Sequence, residues 1–267
     1  MSKFNDLMNL RGRIALVTGA TGHLGQVICD TLAELGSGLV LVDLPKSNLN
    51  QLADRIQKSW DIPVYIVSAD LGSVADREML FEKVVSEIDR LDILINNAAF
   101  VGTSNLEGWA TPFKGQSTEI WRQVLEVNLT AVFDLSQRFA SLLSQSKGGS
   151  IINIGSIYGD LGPDWRIYEG TQLANPAAYS ASKGGLIQLT RWLATTIAPK
   201  IRVNTISPGG IYRGQPTDFV ERYASKTPLG RMATEDDIRG AIGYLSSDLS
   251  RYVTGQNLKI DGGWSAW

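Results

Sequence analysis

The stretch YSASK sets a phenol, Tyr179, four positions before an ammonium, Lys183. On a helix, residues four apart share a face, so the two side chains would act at one place. Free tyrosine has a pKa near about 10, and one unit of lowering corresponds to about 1.4 kcal/mol favouring phenolate. A shift of roughly 3 units would need about 4 kcal/mol, part of which a neighbouring cation supplies. A phenol tuned in this way exchanges a proton with an oxygen near neutral pH. The same pair, taken alone, also describes a solvent-facing helix patch, so its meaning depends on what lies upstream.

Upstream lies RIALVTGATGHLG, an apolar run entering a turn marked by Gly19, Gly22 and Gly25. Between a first strand and a first helix, such a turn lets backbone approach a pyrophosphate. The helix start, with His23 and Leu24, adds unpaired N–H groups and a favourable dipole. Asp43 follows the second apolar run, 18 residues after Gly25. A carboxylate there accepts the ribose hydroxyls of NAD and repels the 2′-phosphate of NADP. NAD is therefore the expected cofactor and NADP the less favoured one, with Lys46 able to offset part of the repulsion. Asp70, with Leu71 beside it, either meets the adenine edge or serves as a cap or turn residue. His23 is the only histidine and Cys29 the only cysteine, so no Cys/His zinc site is available within the chain.

The elements that must position these residues alternate. Strands are predicted at 13–18, 38–44, 63–70, 91–99, 150–156, 201–207 and 256–260. Helices are predicted after the glycine turn, over about 48–59, after a Ser73/Asp76 capping box, over about 117–146 and about 177–197, and from Thr234. This pattern predicts a seven-stranded parallel sheet with helices on both faces, in one domain spanning 1–267. Residues 100–116, 157–176 and 208–230 read as substrate loops. A formal charge of −2, from 25 basic and 27 acidic residues, gives no electrostatic case for nucleic acid. The apolar runs are too short to span a membrane, and the opening residues lack a secretory signal, so a cytoplasmic setting is expected.

In order along the chain stand TGATGHLG, NNAA at 96–99, Asn128, Ser156, YSASK and SPGG at 207–210. This series resembles the short-chain dehydrogenase/reductase family, in its compact single-domain form. The resemblance implies a three-layer Rossmann-type fold and a general acid–base role for Tyr179, with Lys183 lowering its pKa and holding a ribose hydroxyl. It further implies that Ser156 polarises the substrate oxygen and that Asn128 supports a water-linked proton relay to Lys183. NNAA, beginning with Asn96, would stabilise the floor of the cofactor cleft, with Asn97 and Ala98 binding the cofactor, and Pro208, Gly209 and Ile211 would lie near the nicotinamide carboxamide. A homodimer or homotetramer acting on a small alcohol or ketone is implied too. The chain departs from the compact pattern at His23, where a glycine is usual, and at Arg213, where threonine is common.

Ser156 and Tyr179 are 23 positions apart, about twice the usual separation in that family. The extra segment, DLGPDWRIYEGTQLANP, should rise beside the reacting oxygen. Trp165 and Tyr168 could cover a sugar ring, and Arg166 and Arg213 could grip an anion. Equally, Arg166 could pair with Asp164 or Glu169, and the aromatics could form an oligomer contact. RIYEGT and SPGGIYRGQP resemble sequences of the flagellin-modification and nonulosonate-sugar branch, which implies a sugar phosphate or nucleotide-linked sugar. Alternatives are a sugar epimerase or dehydratase with tightly held NAD, or a dinucleotide-binding assembly module. A serine hydrolase does not fit, for NIGSIYG is not a Gly-x-Ser-x-Gly elbow and no histidine accompanies it.

Overall fold

Four consecutive apolar residues, Leu39 to Val42, are fully buried on both sides, as a strand covered by helices on each face requires. The structure, a computed structural model, describes residues 3–101 and 106–267; residues 102–105 of the expected loop 100–116 lie outside the described residues. The strands are β1 (Ile14–Thr18), β2 (Gly38–Asp43), β3 (Val64–Ser68), β4 (Ile93–Asn96), β5 (Gly149–Ile154), β6 (Ile201–Pro208) and β7 (Asn257–Ile260). They form one sheet in the order β3-β2-β1-β4-β5-β6-β7, and every pairing is parallel. This is a doubly wound Rossmann-type arrangement whose strand order reverses between β1 and β4.

The helices are α1 (Phe4–Met8), α2 (His23–Glu34), α3 (Leu49–Ser59), α4 (Val74–Glu87), α5 (Thr118–Leu125), α6 (Ala131–Gln145), α7 (Ala177–Thr196), α8 (Thr217–Lys226) and α9 (Arg239–Ser246). Side-chain alternation along β1 divides the core. Ala15 and Val17 pack with Ile28 and Leu32 of α2, Ile56 of α3 and Ile242 of α9. Leu16 faces the other way, into Leu80 of α4, Phe139 of α6 and Leu193 of α7. Each such leucine, taken fully out of water, contributes about 1.5–3 kcal/mol. Among the described residues no helix is long and apolar enough to cross a membrane.

Half of the expected capping box forms: Ser73 Oγ accepts from the Asp76 N–H and donates to Asp76 Oδ1, while the Ser73 N–H donates to Asp70 O instead of Asp76. Thr234 and Asp237 close a complete box. The structure corrects the expectation of a single helix over 117–146. It is interrupted by a π-helical turn, Glu126–Thr130, between α5 and α6. Arg77, buried in α4, grips that turn through Glu126 Oε1 at 2.8 Å and the start of α6 through Asp134 Oδ2 at 2.6 Å. Two helices were not anticipated, α1 and the α8 that occupies part of the loop 208–230.

Candidate active site

Because all strands run in one direction, the segments that follow them emerge at one edge of the sheet. The glycine turn follows β1, Asp43 ends β2, Asp70 and Leu71 follow β3, and Asn97 follows β4. Ser156 follows β5, and Gly209 to Ile211 follow β6. The carboxyl edge of such a sheet, at the reversal of strand order, is where this architecture binds ligands. A separate cavity of about 950 Å³, lined by Arg13, Gly36, Trp60 and Pro63, lies at the opposite edge.

The glycine turn needs its glycines. Gly19 has φ +64°, and a Cβ there would stand 2.9 Å from the Ala98 Cα. A Cβ on Gly25 would fall 2.0 Å from the Gly19 carbonyl oxygen. Gly22 is the N-cap of α2 and contributes no side-chain cap, so the helix start is left open to an anion. Asn97 braces the turn, donating through Nδ2 to the carbonyl oxygens of Thr18 at 2.9 Å and Gly19 at 3.0 Å. The Asn97 and Ala98 N–H groups both donate to Thr18 Oγ1. Backbone cleared of side chains and held against a helix N-terminus fits a dinucleotide pyrophosphate.

His23 is exposed at the first position of α2, while Leu24 is half-buried against the core. Asp43 Oδ2 accepts from Thr21 N at 2.8 Å and Thr21 Oγ1 at 2.7 Å, and Oδ1 accepts from Leu44 N. Thus Asp43 ties the end of β2 to the glycine turn. Asp70 Oδ1 accepts from Gly72 N, which is the turn use of that residue, and Leu71 is buried. Leu71 O accepts a hydrogen bond from Arg77 Nη1, so one guanidinium links this loop to the π-helical turn.

Asn128 occupies the middle of that turn and is buried. Its Oδ1 accepts from Phe100 N at 2.8 Å, and its Nδ2 donates to Phe100 O at 3.2 Å and to Ser182 Oγ at 3.1 Å. It therefore reaches the neighbour of Lys183. Lys183 is 3% exposed, and its Nζ donates to Ile154 O at 2.7 Å while lying 5.7 Å from the Tyr179 ring centroid. Burial pulls its pKa down to about 8.

Ser156 Oγ accepts from Tyr158 N at 3.2 Å, and Ser156 also acts on the Tyr179 phenol, pulling its pKa down. The Tyr179 pKa is raised by burial, with Ser156 and the charge of Arg213 opposing the rise. The Lys183 ammonium, which the resemblance expects to lower that pKa, donates to the Ile154 carbonyl oxygen. At neutral pH the phenol is thus held protonated. Serine and phenol hydroxyls converging beside a buried amine can hold an oxygen and exchange a proton with it.

A Cβ on Gly209 would stand 3.0 Å from the Tyr223 hydroxyl, and Gly210 N donates to that hydroxyl at 2.6 Å. Pro208 ends β6, and Ile211 pairs with Ala233 in a short bridge. Arg213 Nε donates to Glu235 Oε1 at 2.9 Å. The inserted segment forms a short 3-10 turn, Trp165–Tyr168, with Trp165 exposed. Of the two uses weighed for Arg166, the structure shows the local one, a two-pronged pair with Asp164 at 2.8 Å for each bond. Sequence reasoning missed Tyr158, whose hydroxyl meets that of Tyr168 at 2.6 Å, and Tyr223. The signal for Tyr158 was its place two residues after Ser156; Tyr223 gave none.

A family model described as enoyl-(acyl carrier protein) reductase matches residues 19–265. The chain is a short-chain dehydrogenase/reductase. As such it is 33% identical over 264 residues to a 3-oxoacyl-(acyl-carrier-protein) reductase of Thermotoga maritima, covering 96% of this chain and 99% of that protein. A post-translational flagellin modification protein A of Campylobacter coli is 28% identical over 96% of this chain and 99% of its own. Among solved structures, a short-chain dehydrogenase of Leptospira borgpetersenii with bound NAD+ superposes with TM-score 0.83 at 34% identity, covering 99% and 96% of the two chains. A gluconate 5-dehydrogenase of Burkholderia cenocepacia, in complex with NADP and tartrate, gives 0.87 at 26% identity, covering 99% and 100%.

Proposed function

We propose that this short-chain dehydrogenase/reductase interconverts a secondary alcohol and a ketone on a polar, carbohydrate-like substrate, with NAD preferred to NADP. The observation that carries the reading is buried Lys183, its Nζ 5.7 Å from the Tyr179 ring centroid, with Ser156 acting on the same phenol. In a relative with the same architecture, gluconate is oxidised, which favours a polyhydroxylated substrate here. Asp43, the last residue of β2, favours the free ribose of NAD.

Gly19, Gly22 and Gly25 would admit the pyrophosphate, Asp43 the adenosine ribose, and Gly209 to Ile211 the nicotinamide side. A bound nicotinamide supplies hydride acceptance in oxidation and hydride donation in reduction. Ser156 donates a hydrogen bond to the carbinol or carbonyl oxygen. Tyr179 gives its proton to that oxygen in reduction and takes it back in oxidation. Lys183, fixed by Ile154 O, holds positive charge near the phenol ring, and Asn128 anchors the adjoining Ser182. A homo-oligomer in the cytoplasm is part of this proposal.

The test is near-ultraviolet absorbance of reduced cofactor during incubation with polyols and NAD+ or NADP+. Release of one reduced cofactor per ketone formed is expected, with NAD+ the better partner. Conversion of a sugar without released NADH would favour the epimerase or dehydratase cycle.

A further inference from the structure

The hydroxyls of Tyr158 and Tyr168 stand 2.6 Å apart. Tyr158 leaves the same 3-10 turn that Ser156 caps, while Tyr168 belongs to the inserted segment. Their rings rest on a cluster of Ile157, Ile167, Phe219, Tyr223, Met232 and Trp264, which fixes both phenols. Tyr168 packs 5.5 Å from the Phe219 ring centroid.

Proton counting gives this pair a function. Two phenols carry two O–H donors, and only one is used between them. Among the described residues, neither hydroxyl has another hydrogen-bond partner. Burial raises the pKa of Tyr168 to about 12 and that of Tyr158 further, and the charge of Tyr179 acts on both. Both groups therefore stay protonated, and Tyr158 is tied to the site by its N–H, which donates to Ser156 Oγ at 3.2 Å. One donor and the spare lone pairs remain for an outside oxygen.

The surrounding charges select what bears that oxygen. Arg213 is paired with Glu235, Arg166 with Asp164, and Lys226 approaches the same Asp164. Arg222 faces Asp218 at 3.7 Å and donates to Glu169 O. An anionic substituent would have to displace an internal carboxylate from these cations. An alkyl substituent would leave the phenol proton without an acceptor, a loss of about tenfold or more in affinity.

We propose that the Tyr158–Tyr168 pair is a hydroxyl-binding subsite that selects a neutral polyol carrying a second hydroxyl next to the reacting carbinol. The inference rests on the oxidoreductase reading above and narrows its polar, carbohydrate-like substrate to uncharged polyols.

Three ring alcohols test it: cyclohexanol, a vicinal cyclohexanediol, and the hydroxy acid in which a carboxylate replaces the second hydroxyl. Each is oxidised with NAD+ and NADP+ by the wild type and by Tyr158→Phe combined with Tyr168→Phe, with thermal midpoints measured alongside. The expected result is a kcat/KM for the diol at least about tenfold above that for cyclohexanol and above that for the hydroxy acid. Tyr158→Phe combined with Tyr168→Phe, which removes the free donor that either single variant would still leave, should lower the diol value by about tenfold and leave cyclohexanol unchanged. Turnover with no diol preference, a preference for the hydroxy acid, or equal losses on diol and mono-ol would overturn the subsite and leave the dehydrogenase reading standing. No reduced cofactor from any of the three would overturn both.

Discussion

The ammonium of Lys183 donates to the carbonyl oxygen of Ile154, the last residue of β5, at 2.7 Å. A flexible side chain is thereby pinned to the rigid edge of the sheet, one helical turn from Tyr179. The burial that pins it also penalises its charge, which is why its pKa falls to about 8.

A stability signature follows from that depression. Unfolded lysine titrates near about 10.4, so between about pH 8 and about pH 10 the unfolded chain holds a proton that the folded chain has released. Stability must then rise with pH across this window, by roughly 3 kcal/mol from this group. Denaturant titrations of the cofactor-free protein should show the rise, and Lys183→Met should remove it. Parallel curves for the two proteins would contradict it.

Arg213 opposes the burial that raises the Tyr179 pKa. Removing its charge lets that pKa climb further, so less phenolate forms at a given pH. Arg213→Ala should shift the rising limb of oxidative kcat/KM to higher pH. Reduction, which uses the protonated phenol, should keep its plateau to higher pH than in the wild type. The pH–rate profiles in both directions check the sign.

Asp43 supports two structures at once, the glycine turn through Thr21 and the expected ribose contact. Asp43→Ser should shift the ratio of kcat/KM for NAD over NADP toward NADP by at least about tenfold, since a carboxylate no longer faces the phosphate. Thr21→Val, which removes one of the two Thr21 hydrogen bonds, should leave that ratio nearly unchanged. A ratio that moves equally in both variants would show that only the turn had been disturbed.

Strand-period and helix-period patterns made the sheet readable before any coordinates, because fully buried strands such as LVLV leave little ambiguity about their covering. The glycine turn was legible for the same reason: a Cβ at Gly25 has nowhere to go. The π-helical turn at Asn128 was not legible. Its interruption is held from outside by Arg77, a residue some fifty positions earlier in the chain. Tyr223 was hidden likewise, since its hydroxyl meets Gly210 only once α8 folds back. The burial that raises the Tyr179 pKa is likewise something that spacing does not report.

The central claim is that the Tyr179 hydroxyl carries the proton. Tyr179→Phe keeps the ring and removes only that oxygen, so calorimetric NAD binding and the thermal midpoint should stay close to wild type. Single-turnover formation of NADH from a polyol substrate should fall by at least about a hundredfold. Formation at near the wild-type rate would contradict the account.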